Sequence, residues 1–214
     1  MQTHRTIELF QITGSASFAA RAALEELGAP YTTVDIHPRR RDEPAAFGEV
    51  NPLRRVPSLR AGEVEVYETG AVLAWLGDRF GEARLAPAVD DPQRGAYLRW
   101  LFWLSNTLHG AWWPVARKVE GAEETMARHE AYLTEQLAGG DWCLGDRFSL
   151  ADVYLYMLIG WRSFYGPHLL RSGPIEAYFR RVGARPAIVR ARALDDLDEE
   201  LQRHHPELRA GKPI

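Results

Sequence analysis

Cysteine is almost absent from this chain: one residue, Cys143, in 214. A lone thiol excludes an intramolecular disulfide and any Cys-x-x-Cys redox or zinc site, so no metal centre is expected. Long apolar runs are missing as well. The best candidate, Val153 to Trp161, falls short of the ~18 residues a membrane-spanning helix needs and ends on Gly160-Trp161. Met1 to Thr6 lead straight into a strand-like run, without the apolar stretch of a signal peptide. Nor is one sign of charge in excess. The 26 Lys and Arg against 29 Asp and Glu leave a net charge of −3, which gives no global reason to bind nucleic acid. A reducing cytoplasm fits these absences. What remains is the composition of an ordinary globular protein, 46% hydrophobic, long enough for one large domain or two small ones.

The first ~80 residues alternate strand and helix patterns. Ile7 to Ile12 alternates apolar and polar residues, and Thr13-Gly14-Ser15-Ala16-Ser17 is a turn of small residues. Phe18 to Leu27 is an Ala-rich helix stopped by Gly28. Tyr31 to Ile36 is a second strand, and a charged loop with Arg39-Arg40-Arg41 follows. Pro44 to Val50 makes a short helix at most. Pro57 to Arg60 and Val64 to Tyr67 flank Ala61-Gly62-Glu63 as a hairpin, and Glu68 to Phe80 has helical spacing. Leu85 to Pro92, with two prolines and no periodicity, reads as a linker.

Beyond Pro92 no convincing strand occurs. Gln93 to about Val119 reads as one aromatic-rich helix kinked at Pro114. Ala122 to Leu137 is amphipathic. Ser149-Leu150-Ala151-Asp152 has capping-box spacing at the start of an apolar helix running to about Tyr165. Helices starting at Pro174 and Pro186 follow. The expected division is an α/β domain over 1–84 and an all-helical domain over 91–214.

Asn51-Pro52-Leu53-Arg54-Arg55-Val56-Pro57 stands at the edge of the hairpin. Pro57 cannot donate a ladder bond there. A cis Val56–Pro57 bond would turn the Val56 N–H and C=O outward to pair with an extended peptide, and a trans bond closing a loop is the alternative. Tyr67-Glu68-Thr69-Gly70-Ala71-Val72-Leu73 opens the following helix, where exposed N–H groups favour an anion.

These stretches, in this order and joined by Phe148-Ser149-Leu150-Ala151-Asp152, resemble the cytosolic glutathione transferases over essentially the whole chain. The family writes them N-P-x-x-x-V-P, (E/Q)-S-x-A-I and F-(S/T)-x-A-D. The resemblance implies a thioredoxin-like βαβαββα domain followed by a helical bundle, and glutathione as co-substrate. It places Val56 and Pro57 against the cysteinyl unit, Glu68 and Thr69 at the γ-glutamyl end, and Arg55 near the glycyl carboxylate, helped by one of Arg39, Arg40 and Arg41. In the turn, Ser15 aligns with the catalytic serine of the serine-type classes. Ser17 and Thr13 are the further hydroxyl candidates, the alternative being that all three are turn and cap residues. Ala16 falls where the bacterial β class carries cysteine, and Gln11 where other members carry tyrosine. The family binds its second substrate against the long aromatic helix. Tyr97, Trp100, Trp103, Asn106, His109, Trp112 and Trp113 are candidates for that wall, with core packing or a dimer contact as the alternative for most of the aromatics. The implied activity is attack of glutathione thiolate on an apolar electrophile by a homodimer. Glutathione-dependent disulfide or peroxide reduction, and a non-catalytic interaction module, are the competing readings.

Overall fold

The structure is a computed structural model that describes residues 6–42 and 44–204, with side chains described as far as Asp195. Met1 to Arg5, and the last ten residues of the expected helical domain, lie outside the described residues. Two compact units form: Met1–Leu76 together with Pro186–Ile214, and Gly77–Arg185.

The first unit is a four-stranded sheet of order β2-β1-β3-β4, from Ile7–Gln11 (β1), Tyr31–Asp35 (β2), Ser58–Ala61 (β3) and Val64–Tyr67 (β4). Its helices are α1 (Ser17–Leu27), α2 (Ala45–Val50) and α3 (Thr69–Arg79, which runs on into the second unit). Strand β1 pairs parallel with β2 and antiparallel with β3, which pairs antiparallel with β4. This is the expected βαβαββα order. Helix α1 buries Ala19, Ala20, Ala22, Ala23 and Leu24, small side chains that let it lie close to its neighbours. Gly28, at φ 59, ends it in the left-handed conformation that glycine adopts without a Cβ penalty.

Helix α10 (Pro186–His204) packs on α1, so it groups with the sheet, whereas a division at 84 and 91 places it with the other helices. Two ion pairs hold it. Arg190 Nε reaches Glu25 Oε2 at 3.0 Å, and Arg21, 3% exposed, reaches Asp195 at 3.3 Å. A pairing across some 170 residues leaves no local trace in the sequence.

The second unit contains α4 (Arg94–Trp103), a π-helical turn (Leu104–Leu108), α5 (His109–Ala116), α6 (Ala122–Ala138), α7 (Leu150–Gly160), α8 (Arg162–Tyr165) and α9 (Gly173–Gly183). The expected single helix from Gln93 keeps its helical course, but its irregularity is the π-turn upstream of Pro114. The expected helix from Leu150 to Tyr165 is divided at Trp161. Helix α7 is buried from Leu150 to Ile159 and begins with the anticipated capping box. Asp152 accepts from Ser149 N (2.8 Å), Cys143 N (2.7 Å) and the Tyr178 hydroxyl (2.9 Å). Burial pushes its carboxyl up while those donors pull it back. Burial likewise raises the Cys143 thiol, which keeps it protonated.

The expected linker is strapped down. Arg147 binds Asp91 at 2.7 Å and donates to the Ala86 carbonyl, and Arg94 donates to the Pro87 carbonyl. A second strap joins α6 to the loop before α9. The Glu130 carboxylate accepts the backbone N–H groups of Leu170 (3.0 Å), Arg171 (2.7 Å) and Ser172 (2.7 Å). Hydrogen bonds to charged groups contribute about 1.5–3 kcal/mol each at most, and this carboxylate is partly exposed. We expect Glu130→Gln to lower the stability in urea by about 1–2 kcal/mol at an unchanged m-value. An unaltered midpoint would show that the three N–H groups do not depend on the charge.

Candidate functional site

Strand directions decide where the singled-out residues fall. Because β1 and β2 run one way and β3 the other, the end of β1, the end of β2, the start of β3 and the end of β4 share one end of the sheet. Phe10 pairs with Ser58, and Ser58 with Tyr67. The Ser15 turn, the arginine loop, Val56–Pro57 and Glu68–Thr69 therefore all leave the sheet at that end. Sequence spacing alone does not show this. The register does.

The Val56–Pro57 bond is cis. The Val56 side chain packs on the buried cluster of Phe10, Ile12, Ile36, Phe47 and Val50. Its backbone N–H and C=O have no partner among the described residues. The loop is held instead by Asn51, whose side chain is buried. Asn51 Nδ2 donates to the Arg55 carbonyl (2.9 Å) and to Ser58 Oγ (3.1 Å), while Oδ1 accepts from Leu53 N (2.9 Å). Ser58 Oγ closes the ring by donating to the Arg55 carbonyl at 2.7 Å. The sequence reading quoted Asn51 as part of a motif but gave it no task. An Asn just before a Pro, with a Ser seven residues on, was the available signal.

Of the basic residues nearby, Arg54 is structural. It sits at φ 49, donates to the Arg41 carbonyl at 2.9 Å, and lies where any Cβ on Gly48 would be. Arg55 is exposed and has no ion pair among the described residues. Arg41 faces it. Burial, and then the Arg55 charge, lower the affinity of Arg41 for its proton. Two like charges that repel in this way suit an anion close to both. Arg39 and Arg40 are exposed loop residues.

Glu68, at φ 69, occupies the left-handed region that a non-glycine residue enters at a cost of order 1–3 kcal/mol. It is exposed, and its carbonyl accepts from Val72 N at 2.9 Å, opening α3. Thr69 is 6% exposed, and its hydroxyl has no hydrogen-bond partner among the described residues.

In the first turn the hydroxyls are already engaged. Ser15 Oγ donates to the Ile12 carbonyl at 2.5 Å and accepts from Ser17 N at 3.1 Å. Ser17 is buried, accepts from Ile12 N at 3.2 Å and lies 3.1 Å from Ser15 Oγ, which makes it a turn residue. Thr13 is half-buried and Ser15 partly exposed. The Ala16 N–H, at the foot of α1, has no partner among the described residues. Gln11 is buried in scaffolding: it accepts from Arg21 Nε (3.1 Å) and donates to Asp35 (2.7 Å).

In the helical unit the candidate wall divides. Tyr97, Trp100 and Trp112 are core residues with 0%, 1% and 0% exposure. Trp100 Nε1 donates to the Cys143 carbonyl at 2.7 Å. Trp103 is half-buried between Tyr132 and His129, and Asn106 is exposed. His109 Nδ1 lies 2.9 Å from the Tyr154 hydroxyl, its ring edge-on to Trp161 and beside Trp113. Burial lowers its pKa to about 4, so it is neutral at working pH.

Residues 9–84 match the family model described as Glutathione S-transferase, N-terminal domain, and residues 70–189 match Glutathione S-transferase, C-terminal domain. The Escherichia coli O157:H7 protein named Glutathione S-transferase GstA is 26% identical over 200 residues, 89% of this chain and 100% of its own. A solved glutathione transferase from Methylococcus capsulatus str. Bath is similar with a TM-score of 0.84 and 28% identity, covering 90% of this chain and 100% of that one. A sphingomonad glutathione S-transferase, solved in complex with glutathione, is similar with a TM-score of 0.80 and 31% identity over 89% of this chain and 99% of that one.

The histidine supplies a pH test. Its folded pKa, about 4, lies below the unfolded value near 6.5, so the unfolded chain binds more protons between the two. Stability is therefore lost as pH falls from about 6.5 towards 4, by up to about 3 kcal/mol. In His109→Phe the decline between pH 6.5 and 5, measured by urea titration, should flatten. An identical slope in both proteins would show that this histidine titrates normally.

Proposed function

Because the chain belongs to the glutathione S-transferase family, whose two models match residues 9–84 and 70–189, we propose that it is a transferase that ionises the glutathione thiol for attack on an apolar electrophile. The observation that carries the proposal is the gathering of Val56, Glu68, Thr69 and the Ser15 turn at one end of the sheet. Residues 1–84 hold the glutathione in this reading, and the helical remainder holds the electrophile.

An extended tripeptide pairs with the open N–H and C=O of Val56, in the manner of an added strand. Its γ-glutamyl carboxylate takes the first amides of α3 and the Thr69 hydroxyl, and Glu68 takes its ammonium. The glycyl carboxylate enters between Arg55 and Arg41. That choice among the three loop arginines rests on the repulsion between the two groups, which an anion relieves.

The nucleophile is the glutathione sulfur, and the protein's task is to favour its thiolate. A free thiol of pKa ~8.5 needs about 2.7 kcal/mol to fall by 2 units. The Ala16 N–H and the start of α1 supply a dipole term, and Ser15 supplies a hydroxyl once it turns from the Ile12 carbonyl. Ser17 and Thr13 are secondary to it. No cysteine is available at Ala16 for a mixed disulfide, which favours transfer over thiol exchange. The enzyme belongs to a serine-type class, or to a β-like one without its cysteine, and acts as a cytoplasmic homodimer. Among the described residues no helix is long and apolar enough to cross a membrane.

Glutathione titration by calorimetry should show one site per chain, and an absence of heat at millimolar ligand would sink the proposal. Ser15→Ala should raise the pKa of the bound thiol by about 1–2 units and cut chlorodinitrobenzene conjugation by about 10- to 100-fold, with little change in glutathione affinity. Full activity in that variant would transfer the role to the Ala16 N–H. Disulfide reduction without conjugation would replace the transferase reading with a reductase.

A further inference from the structure

The least expected charge in the sheet unit belongs to Arg21. Its side chain is 3% exposed, on a helix whose other buried residues are small or apolar. Arginine is almost never buried to this extent unless its guanidinium is paired. Here the pairing runs to two elements. Nε donates to Gln11 Oε1 at 3.1 Å, and Nη1 lies 3.3 Å from Asp195 Oδ1 on α10. Gln11, itself 1% exposed, passes the contact on, its Nε2 donating to Asp35 Oδ1 at 2.7 Å at the end of β2.

The place of this relay decides what it does. Gln11 is the last residue of β1, and Arg21 lies in the second turn of α1. Side chains on a helix lean toward its N-terminus, so Arg21 reaches back over the segment that joins the two elements. That segment, Ile12 to Ala16, is the first turn of the candidate site. The bond from Arg21 to Gln11 closes a ring around it. Inside the ring, Ile12 N donates to Ser17 Oγ and Ser15 Oγ donates to the Ile12 carbonyl. The spacing of β1 and α1 sets where the Ser15 hydroxyl and the Ala16 N–H stand, and Arg21 holds that spacing.

Helix α10 is tied to α1 at a second point. Arg190 pairs with Glu25 at 3.0 Å, and Glu25 accepts from the Tyr31 hydroxyl at 2.9 Å, at the start of β2. Arg21 and Glu25, four residues apart, share one face of α1. The two ties lead to opposite ends of β2. Only the Arg21 tie leads to the end that carries the first turn.

We propose that Arg21 is a positioning residue for thiolate formation, and that Asp195 makes α10 part of the same apparatus. The guanidinium acts through its planar fork, which holds Gln11 and Asp195 at once in directions that a single ammonium does not reproduce. The inference rests on the transferase reading and goes beyond it, since it gives α10 a part in ionising the glutathione thiol. Both residues act through the turn, without touching glutathione.

The test reads the thiol pKa of bound glutathione in the full chain, from the ultraviolet absorbance of the thiolate across pH. Arg21→Lys keeps the charge and loses the fork. It should raise the thiol pKa by about 1 unit, a tenfold loss of conjugation rate at a pH below both values, with glutathione affinity little changed. Asp195→Asn should raise it too, because a guanidinium deprived of its carboxylate leaves Gln11 for water. A cation acting by charge alone gives the opposite pattern, with no change in Arg21→Lys and a lower thiol pKa in Asp195→Asn. Arg190→Gln loosens α10 through the other tie and should leave the thiol pKa unaltered. A rise in Arg190→Gln equal to that in Asp195→Asn, or an unaltered value in Arg21→Lys, overturns the proposal. Where Asp195→Asn fails to fold, Arg21→Lys and Arg190→Gln decide. Native protein that binds glutathione without lowering its thiol pKa sinks the transferase reading, and this inference with it. A lowered native value that Arg21→Lys leaves in place sinks only this inference.

Discussion

The reversal of β3 between β1 and β4 is the constraint on which the site depends. The four segments assigned to glutathione are separate in sequence, and only Val56–Pro57 and Glu68–Thr69 are joined locally, through the β3–β4 hairpin. One row of the ladder, Phe10 to Ser58 to Tyr67, brings three of them to the same edge. Parallel pairing of β1 with β2 adds the arginine loop. A strand slip of one residue would exchange the faces and carry Val56 off its apolar cluster. The buried Asn51 resists such a slip. Its amide ties the loop carbonyl at Arg55 to the first residue of β3, so the loop cannot shift without the strand. A buried polar network of this kind is costly when half satisfied, which makes the arrangement discrete rather than gradual.

Much of this was legible in the residues, for a definable reason. Strand and helix periods, the Gly28 stop and the Ser149–Asp152 box are local patterns, and they appear in the structure where they were expected. The Val56–Pro57 stretch was legible because a proline at a strand edge has few uses. What escaped was set by distance. Arg41 could not be separated from Arg39 and Arg40 by sequence, since its distinction is its burial and its repulsion by Arg55. Helix α10 returns to α1 through Glu25 and Arg21, which look like any charges on a helix. The linker over 85–92 reads as loose because its ties come from Arg147 and Arg94, outside it. The π-turn has no composition cue at all, and Pro114 drew attention to the wrong position.

The first turn shows how few hydroxyls the site has to spare. Gln11, at the position where other members carry tyrosine, is locked between Arg21 and Asp35 and is as buried as the core. Ser17 is turned inward to Ile12. Ser15 combines partial exposure with a proton, and that proton is on the Ile12 carbonyl. A thiolate is a stronger attraction for it than a neutral carbonyl, because hydrogen bonds to a charged acceptor are about twice as strong. The exchange is therefore favourable only when sulfur is ionised. A hydroxyl that moves only for the anion stabilises the thiolate without stabilising the thiol, and this difference is what lowers a pKa. In the proposed mode the Val56 backbone and the α3 start would hold glutathione in either protonation state, and the first turn would distinguish between them.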